Sequence, residues 1–118
     1  MLKNQPMETA NSYLVYMTAG DMAEARSIGR VLVESRLAAC VNILENMTSI
    51  YCWVGGLQED NEVVVLAKTT EDRFAELKAK VAEMHSYDCP CILGFHASDG
   101  HPPFLDWIRE SVARTAVR

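Results

Sequence analysis

The chain has 118 residues, of which 49% are hydrophobic, and its formal net charge is −5 at pH 7. This length predicts one domain over residues 1–118 with its own hydrophobic core, preceded by a flexible N-terminal segment at 1–11. The acidic balance argues against a nucleic-acid-binding protein, because such proteins gather Lys and Arg on one face. No apolar run approaches the roughly 20 residues that span a bilayer, so we expect no membrane partner.

The first twelve residues, MLKNQPMETANS, lack the continuous apolar core of a secretory signal. Four cysteines in a chain without such a signal favour reduced thiols over a disulfide framework. We therefore expect a cytoplasmic protein.

The first predicted elements are a strand and a helix. Aromatic and branched residues at 13–18 indicate a strand. Asp21 is a good N-cap for a helix near 21–36, and Glu24 three positions later completes the pattern of a capping box. A second strand over 39–53 follows directly.

The second strand is long enough that Glu45–Asn46 is expected to form a bend or a bulge. Gly55–Gly56 is predicted to turn the chain into a third strand at 62–69. That strand is apolar on both of its faces, with Val63 and Val65 on one and Val64 and Leu66 on the other. Helices cover only one face of a βαββαβ sheet, so other subunits are the simplest cover for the second face.

The remaining pattern predicts a helix near 70–85, a short strand at 91–96 after Pro90, and a terminal helix near 104–112. The order is β-α-β-β-α-β with an added helix. It predicts an α+β ferredoxin-like sandwich, in which both inner helices lie on the same face of an antiparallel sheet.

Several blocks in this order, spread over about residues 12–109, resemble the CutA divalent-cation tolerance proteins. They are R-L-A-A-C-V-N-I-L at 36–44, S-x-Y-x-W-x-G at 49–55, H-x-Y at 85–87 and F-L-D-W-I at 104–108. The resemblance implies a ferredoxin-like subunit, a tight homotrimer, and a link to copper and other divalent metals. One departure is Ser86, where the family usually has proline.

The sequence gives no reason to expect an enzyme. It contains no recognisable Ser-His-Asp frame, no Gly-rich phosphate loop and no HExxH helix. Cys40 is a conceivable nucleophile, but its Ala-Ala-Cys-Val setting favours a buried packing role. Cys52 lies on the opposite face of its strand from Tyr51 and Trp53, and it too is expected to be buried.

A soft-metal site has two alternative placements. The resemblance implies that His85 is a metal ligand. It also implies that two further ligand positions of the family are occupied here by Met17 and Met84, whose thioethers would favour Cu(I). The competing interpretation is that both methionines fill the core.

The second placement is Cys89-Pro90-Cys91. Residues two apart in an extended segment project to one face, so both sulfurs can hold Cu(I) or Zn(II). Their expected Cα spacing of about 6.6 Å lies near the upper limit for a disulfide, which favours free thiols or chelation.

A second cluster of residues is compatible with a ligand cleft. Tyr51 and Trp53 share one strand face, and Glu62 and Lys68 share a face of the next strand. The resemblance raises the alternative that these positions line a cleft between subunits, where Lys68 meets an anion and Tyr87 closes the cleft.

The leading interpretation is a non-enzymatic trimeric protein of divalent-cation tolerance that binds copper modestly. Two alternatives stay open. One is a small-molecule sensor similar to PII signalling proteins, although the short hairpin at 54–61 lacks the long loop of that class. The other is a structural trimer.

Overall fold

The computed structural model describes residues 11–114, so nearly all of the predicted flexible segment lies outside the described residues. The elements are β1 (Ser12–Ala19), α1 (Met22–Glu34), β2 (Cys40–Trp53), β3 (Gly56–Thr70), α2 (Glu71–Met84), β4 (Ile92–His96) and α3 (Pro102–Ser111). They form one antiparallel sheet in the order β2-β3-β1-β4. The predicted α+β architecture is confirmed. Within 11–114, no helix combines the length and apolarity needed to span a membrane.

Helices α1 and α2 lie on the same face of the sheet, as predicted, because their apolar stripes bury a common core. α1 contributes Ala25, Ile28 and Leu32, and α2 contributes Leu77 and Val81. The strands contribute the alternate residues Val15, Met17, Val63, Val65 and Ala67. Alternation along β1 and β3 therefore defines a helix-covered face and an open face.

The N-terminus of α1 has an altered form of the predicted capping box. The Asp21 carboxylate accepts a hydrogen bond of 2.8 Å from the Glu24 N–H. The Glu24 carboxylate returns to the N–H of Gly20 at 3.1 Å, one residue before the cap. The first turn is thus stabilised from both sides.

The predicted bulge in β2 is confirmed. The pairing of β2 with β3 shifts between Leu44 and Met47, and Asn46 has a φ of +69°. The predicted turn at Gly55–Gly56 is one residue too late, because Trp53 pairs with Gly56 and the turn residues are Val54 and Gly55. Their φ values of 54° and 74° match a type I′ turn, which suits glycine and disfavours a β-branched residue.

Strand β3 begins at Gly56, six residues before the predicted start. Residues 58–62 are polar and carry no apolar alternation, but their pairing with β2 continues the strand. β1 pairs with β3 only over Val63–Thr70. The outer half of the β2–β3 hairpin therefore extends past the sheet, which accounts for the long dimension of 58 Å against 26 and 21 Å.

The open face of the sheet is only partly covered. α3 closes one end by packing Ile108 and Val112 against Ala39. Elsewhere large apolar side chains stay exposed, and Leu44, Leu93 and Phe95 each expose more than half of their surface, at 56%, 53% and 52%. Leu93 lies opposite Tyr16, and Phe95 lies opposite Leu14, which places them on the open face.

Candidate functional site

A cleft of about 450 Å³ opens where β1 ends, between the β2–β3 hairpin and the loop that joins α2 to β4. Its lining residues are Thr18, Tyr51, Trp53, Glu62, Tyr87, Asp88, Cys89 and Cys91. The structure thus brings together four of the five predicted cleft residues and both predicted cysteine ligands. We call this feature the hairpin cleft.

Glu62 lies at the centre of the hydrogen bonds in the hairpin cleft. Its two carboxylate oxygens accept hydrogen bonds from Ser49 Oγ at 2.6 Å and from the Tyr87 hydroxyl at 2.7 Å. Burial raises the pKa of Tyr87 above its usual range, and the bond to Glu62 raises it further. Tyr87 therefore stays protonated and acts as a donor at neutral pH.

Tyr51 makes the matching bond within the hairpin, where its hydroxyl donates to Asp60. This bond is the main reason that the pKa of Tyr51 lies above its usual value. Both phenols of the cleft are consequently neutral donors, and each is paired with a carboxylate.

The loop after α2 is fixed to the start of α1 by Glu24. Its carboxylate accepts hydrogen bonds from the Ser86 N–H at 2.7 Å and from Ser86 Oγ at 3.1 Å. Burial alone would raise the pKa of Glu24, but these bonds and the one from the Gly20 N–H together lower it. A proline at position 86 would lack both the N–H and the hydroxyl that make this attachment.

His85 has a fully buried side chain whose two ring nitrogens are both in use. Nε2 lies 2.8 Å from the Thr18 carbonyl oxygen, and Nδ1 accepts from the Tyr87 N–H at 3.0 Å. These partners assign the neutral tautomer that carries its proton on Nε2. The metal role of His85 stays a prediction, and it requires that one of these hydrogen bonds break.

The two methionines of the predicted metal site belong to the core. Met17 is 1% exposed and lies opposite Val65 and Ile92. Met84 is half-buried and packs against the same cluster. Their placement matches the packing interpretation, because both thioethers contribute to apolar burial.

The four cysteines are free thiols in different settings. Cys89 is exposed and Cys91 is half-buried, and both line the hairpin cleft. Burial raises the pKa of the Cys91 thiol, and the negative charge of Glu62 adds to the effect. Across residues 11–114, no group of three or more His, Cys, Asp or Glu is placed to hold a metal ion.

The predicted burial of Cys40 and Cys52 is only partly right. Cys40 is half-buried, as a residue of the open sheet face. Cys52 is exposed, so its predicted burial is wrong for the single subunit. It lies in the outer half of the hairpin, where neither helix α1 nor α2 covers the strand.

Lys68 lies outside the hairpin cleft of its own subunit. It is six strand positions from Glu62, a separation of about 20 Å on an extended strand. Its ammonium group instead donates to Asn42 Oδ1 at 2.7 Å and lies 5.8 Å from the ring centre of Phe104. A contribution of Lys68 to the cleft of a neighbouring subunit stays a prediction.

The hairpin cleft is lined by negative charge, whereas an anion site would require positive charge. Its lining includes the carboxylates of Glu62 and Asp88 and no Lys, Arg or His. A bound anion would meet two like charges with no basic partner. Asp88 and Ser49 were not among the site residues predicted from the sequence. Strand alternation could have indicated Ser49, because it places Ser49 on the same face as Tyr51.

Comparison with known proteins agrees with this fold. The family profile described as CutA1 divalent ion tolerance protein matches residues 13–111. The divalent-cation tolerance protein CutA of Thermus thermophilus is 44% identical over 98 residues, which cover 83% of this chain and 95% of that protein. The protein of the same name from Archaeoglobus fulgidus is 41% identical, with the same shares covered.

A solved structure gives the same result. The divalent ion tolerance protein CutA1 of Ehrlichia chaffeensis superposes with a TM-score of 0.85 at 30% identity, over 89% of this chain and 98% of that one. The sequence blocks and the sheet order agree with both kinds of comparison. This chain therefore belongs to the CutA family of divalent-cation tolerance proteins.

Proposed function

We propose that this protein acts in divalent-cation tolerance as a non-enzymatic, cytoplasmic homotrimer that binds copper modestly, as Cu(I), through Cys89 and Cys91. The observation that carries the metal proposal is that both thiols are free and line one cleft. Only Pro90, whose ring fixes its φ, separates the two cysteines along the chain.

The number of nearby ligands favours Cu(I) over zinc. Soft thiolates select Cu(I), which accepts few ligands, whereas structural zinc requires four. Glu62 and Asp88 offer hard oxygen atoms that suit Cu(I) poorly. The raised pKa of Cys91 means that copper must displace a proton, so uptake should weaken as the pH falls.

Anaerobic titration of the reduced protein with Cu(I) and Zn(II), followed by native mass spectrometry, tests the metal proposal. We expect a single Cu(I) per subunit, lost when Cys89 and Cys91 are both replaced by serine. Cys52→Ser is the matched control, because it removes an exposed thiol outside the cleft. Copper retained by the double variant and lost in His85→Ala would contradict the assignment to the cysteines.

The trimer is supported by two features of the single subunit. The open sheet face exposes large apolar residues, including Leu93 and Phe95. The outer hairpin strands pair only with each other over 47–62, which leaves backbone groups free to pair with other strands. A closed ring of identical subunits would cover the open face and would provide strands that pair with the outer hairpin.

Analytical ultracentrifugation tests the assembly. We expect a trimer at micromolar concentration, and we expect Leu93→Glu to dissociate it because a charge would be buried on the open face. Val33→Glu is the matched control, since Val33 is 41% exposed on α1, away from the sheet. A wild-type monomer, or equal effects of the two variants, would contradict the proposed interface.

A further inference from the structure

The hairpin cleft combines aromatic rings with negative charge. Tyr51, Trp53 and Tyr87 supply three rings, and Glu62 and Asp88 supply two carboxylates. Its volume of about 450 Å³ suits a small organic molecule. These features belong to the same surface as the cysteines, but copper binding to two thiols makes no use of the rings.

The rings of the cleft are not occupied by cations of the chain itself. Within residues 11–114, the two Lys-to-ring contacts involve Phe104 and Phe74, on other parts of the fold. In the single subunit, Trp53 keeps 63% of its surface exposed. The faces of aromatic rings attract cations, and the attraction grows when carboxylates are nearby.

We propose that the hairpin cleft binds a small organic cation of the quaternary ammonium class, held against Trp53 and Tyr51 beside the carboxylates. Both oxygens of Glu62 already accept a hydrogen bond, one from Ser49 and one from Tyr87. These bonds fix the position of the Glu62 carboxylate and leave its negative charge in place. Exposed aromatic rings beside a fixed negative charge suit a quaternary ammonium group. The proposal does not depend on copper binding.

The test uses the intrinsic fluorescence of Trp53. The chain has two tryptophans, so Trp107→Phe leaves Trp53 as the only one. Trp107 stacks on Phe104 in α3, outside the cleft lining, and its replacement by Phe retains an aromatic ring. The full-length Trp107→Phe protein is titrated with choline and, separately, with 3,3-dimethylbutan-1-ol, its uncharged isostere, at constant ionic strength.

We expect a saturable change in Trp53 fluorescence with choline and at least about tenfold weaker binding of the neutral isostere, which corresponds to about 1.4 kcal/mol. Glu62→Gln should weaken choline binding severalfold, because it removes the charge and keeps the shape. Cys52→Ser should leave it unchanged. In the wild-type Trp107 background, Trp53→Leu should remove the binding measured by calorimetry.

Equal binding of choline and its isostere would overturn the proposal, and so would the absence of saturation at tens of millimolar. Unchanged choline binding in the Glu62→Gln variant would also overturn it. Thermal unfolding of each variant shows whether it is folded before binding is measured. Cu(I) uptake by the Trp107→Phe protein is measured in parallel, so that failure of the cation site is distinguished from failure of the metal site.

Discussion

The hydroxyl of Tyr87 donates a hydrogen bond of 2.7 Å to Glu62 and so joins the loop after α2 to the β2–β3 hairpin. Cys91 follows Tyr87 by four positions, and the same loop is fixed to α1 through Glu24 and Ser86. The position of the two cysteines in the hairpin cleft therefore depends on contacts with two separate elements.

Removing this hydroxyl should loosen the cysteine loop. We expect Tyr87→Phe to lower the free energy of unfolding by about 1 kcal/mol, the usual net value of one hydrogen bond. It should also speed hydrogen exchange in residues 86–91, measured by mass spectrometry. Tyr51→Phe is the control, because its lost bond to Asp60 lies within the hairpin. Equal exchange in the two variants would contradict the proposed role of Tyr87.

The reactivity of Cys91 should depend on pH in a defined direction. Thiols react as thiolates, and burial together with the charge of Glu62 raises the pKa of Cys91. At pH 8 a smaller fraction of Cys91 is therefore ionised than of an ordinary exposed cysteine. We expect iodoacetamide to modify it more slowly than exposed Cys52, with a rate that keeps rising above pH 9. Glu62→Gln lowers that pKa and should speed the reaction at a given pH. Identical pH profiles for wild type and variant would exclude an effect of Glu62.

The hairpin turn should be open to stabilisation. Val54 has a φ of +54°, which costs a β-branched residue about 1–2 kcal/mol. Asparagine is favoured at this position of a type I′ turn. We expect Val54→Asn to raise the free energy of unfolding by about 1 kcal/mol in urea titration. Val54 is 90% exposed, so the substitution loses little packing. A lower stability would contradict the turn geometry.

Gly94 in β4 should tolerate no side chain. A Cβ placed there would lie 2.7 Å from the ring of Phe74 in α2. We expect Gly94→Ala to destabilise the fold by about 1–3 kcal/mol through overpacking. Gly56→Ala is the matched control, because the nearest atom outside its chain neighbours lies at 3.7 Å on a flexible side chain. Equal thermal shifts in the two variants would exclude the contact with Phe74 as the cause.

The architecture was predictable because its helices and inner strands bury alternating or helically spaced apolar residues. The pattern failed where pairing alone forms the structure. Residues 58–62 are polar, so no apolar alternation indicated the outer part of β3. The turn was predicted one residue too late because Gly55–Gly56 is a stronger turn sequence than Val54–Gly55. The expected burial of Cys52 was wrong because no local sequence pattern shows how far a hairpin extends beyond its sheet.

The candidate site was predictable in its residue types and in part of its grouping. Alternation placed Tyr51 and Trp53 together, the family resemblance added Glu62 and Tyr87, and the structure brings these four to one cleft with Cys89 and Cys91. The same reasoning paired Lys68 with Glu62 because both lie on one strand face, without accounting for the distance along the strand. The hydrogen bonds that occupy both nitrogens of His85 come from β1 and the loop, and a linear pattern does not reveal them.

The most direct measurement of the copper proposal is X-ray absorption at the copper edge of the Cu(I)-loaded protein. We predict that sulfur atoms bind the copper directly, with no imidazole nitrogen, and that this signal is lost when Cys89 and Cys91 are replaced by serine. A spectrum that shows imidazole bound to copper, and that persists in the double serine variant, would contradict the account.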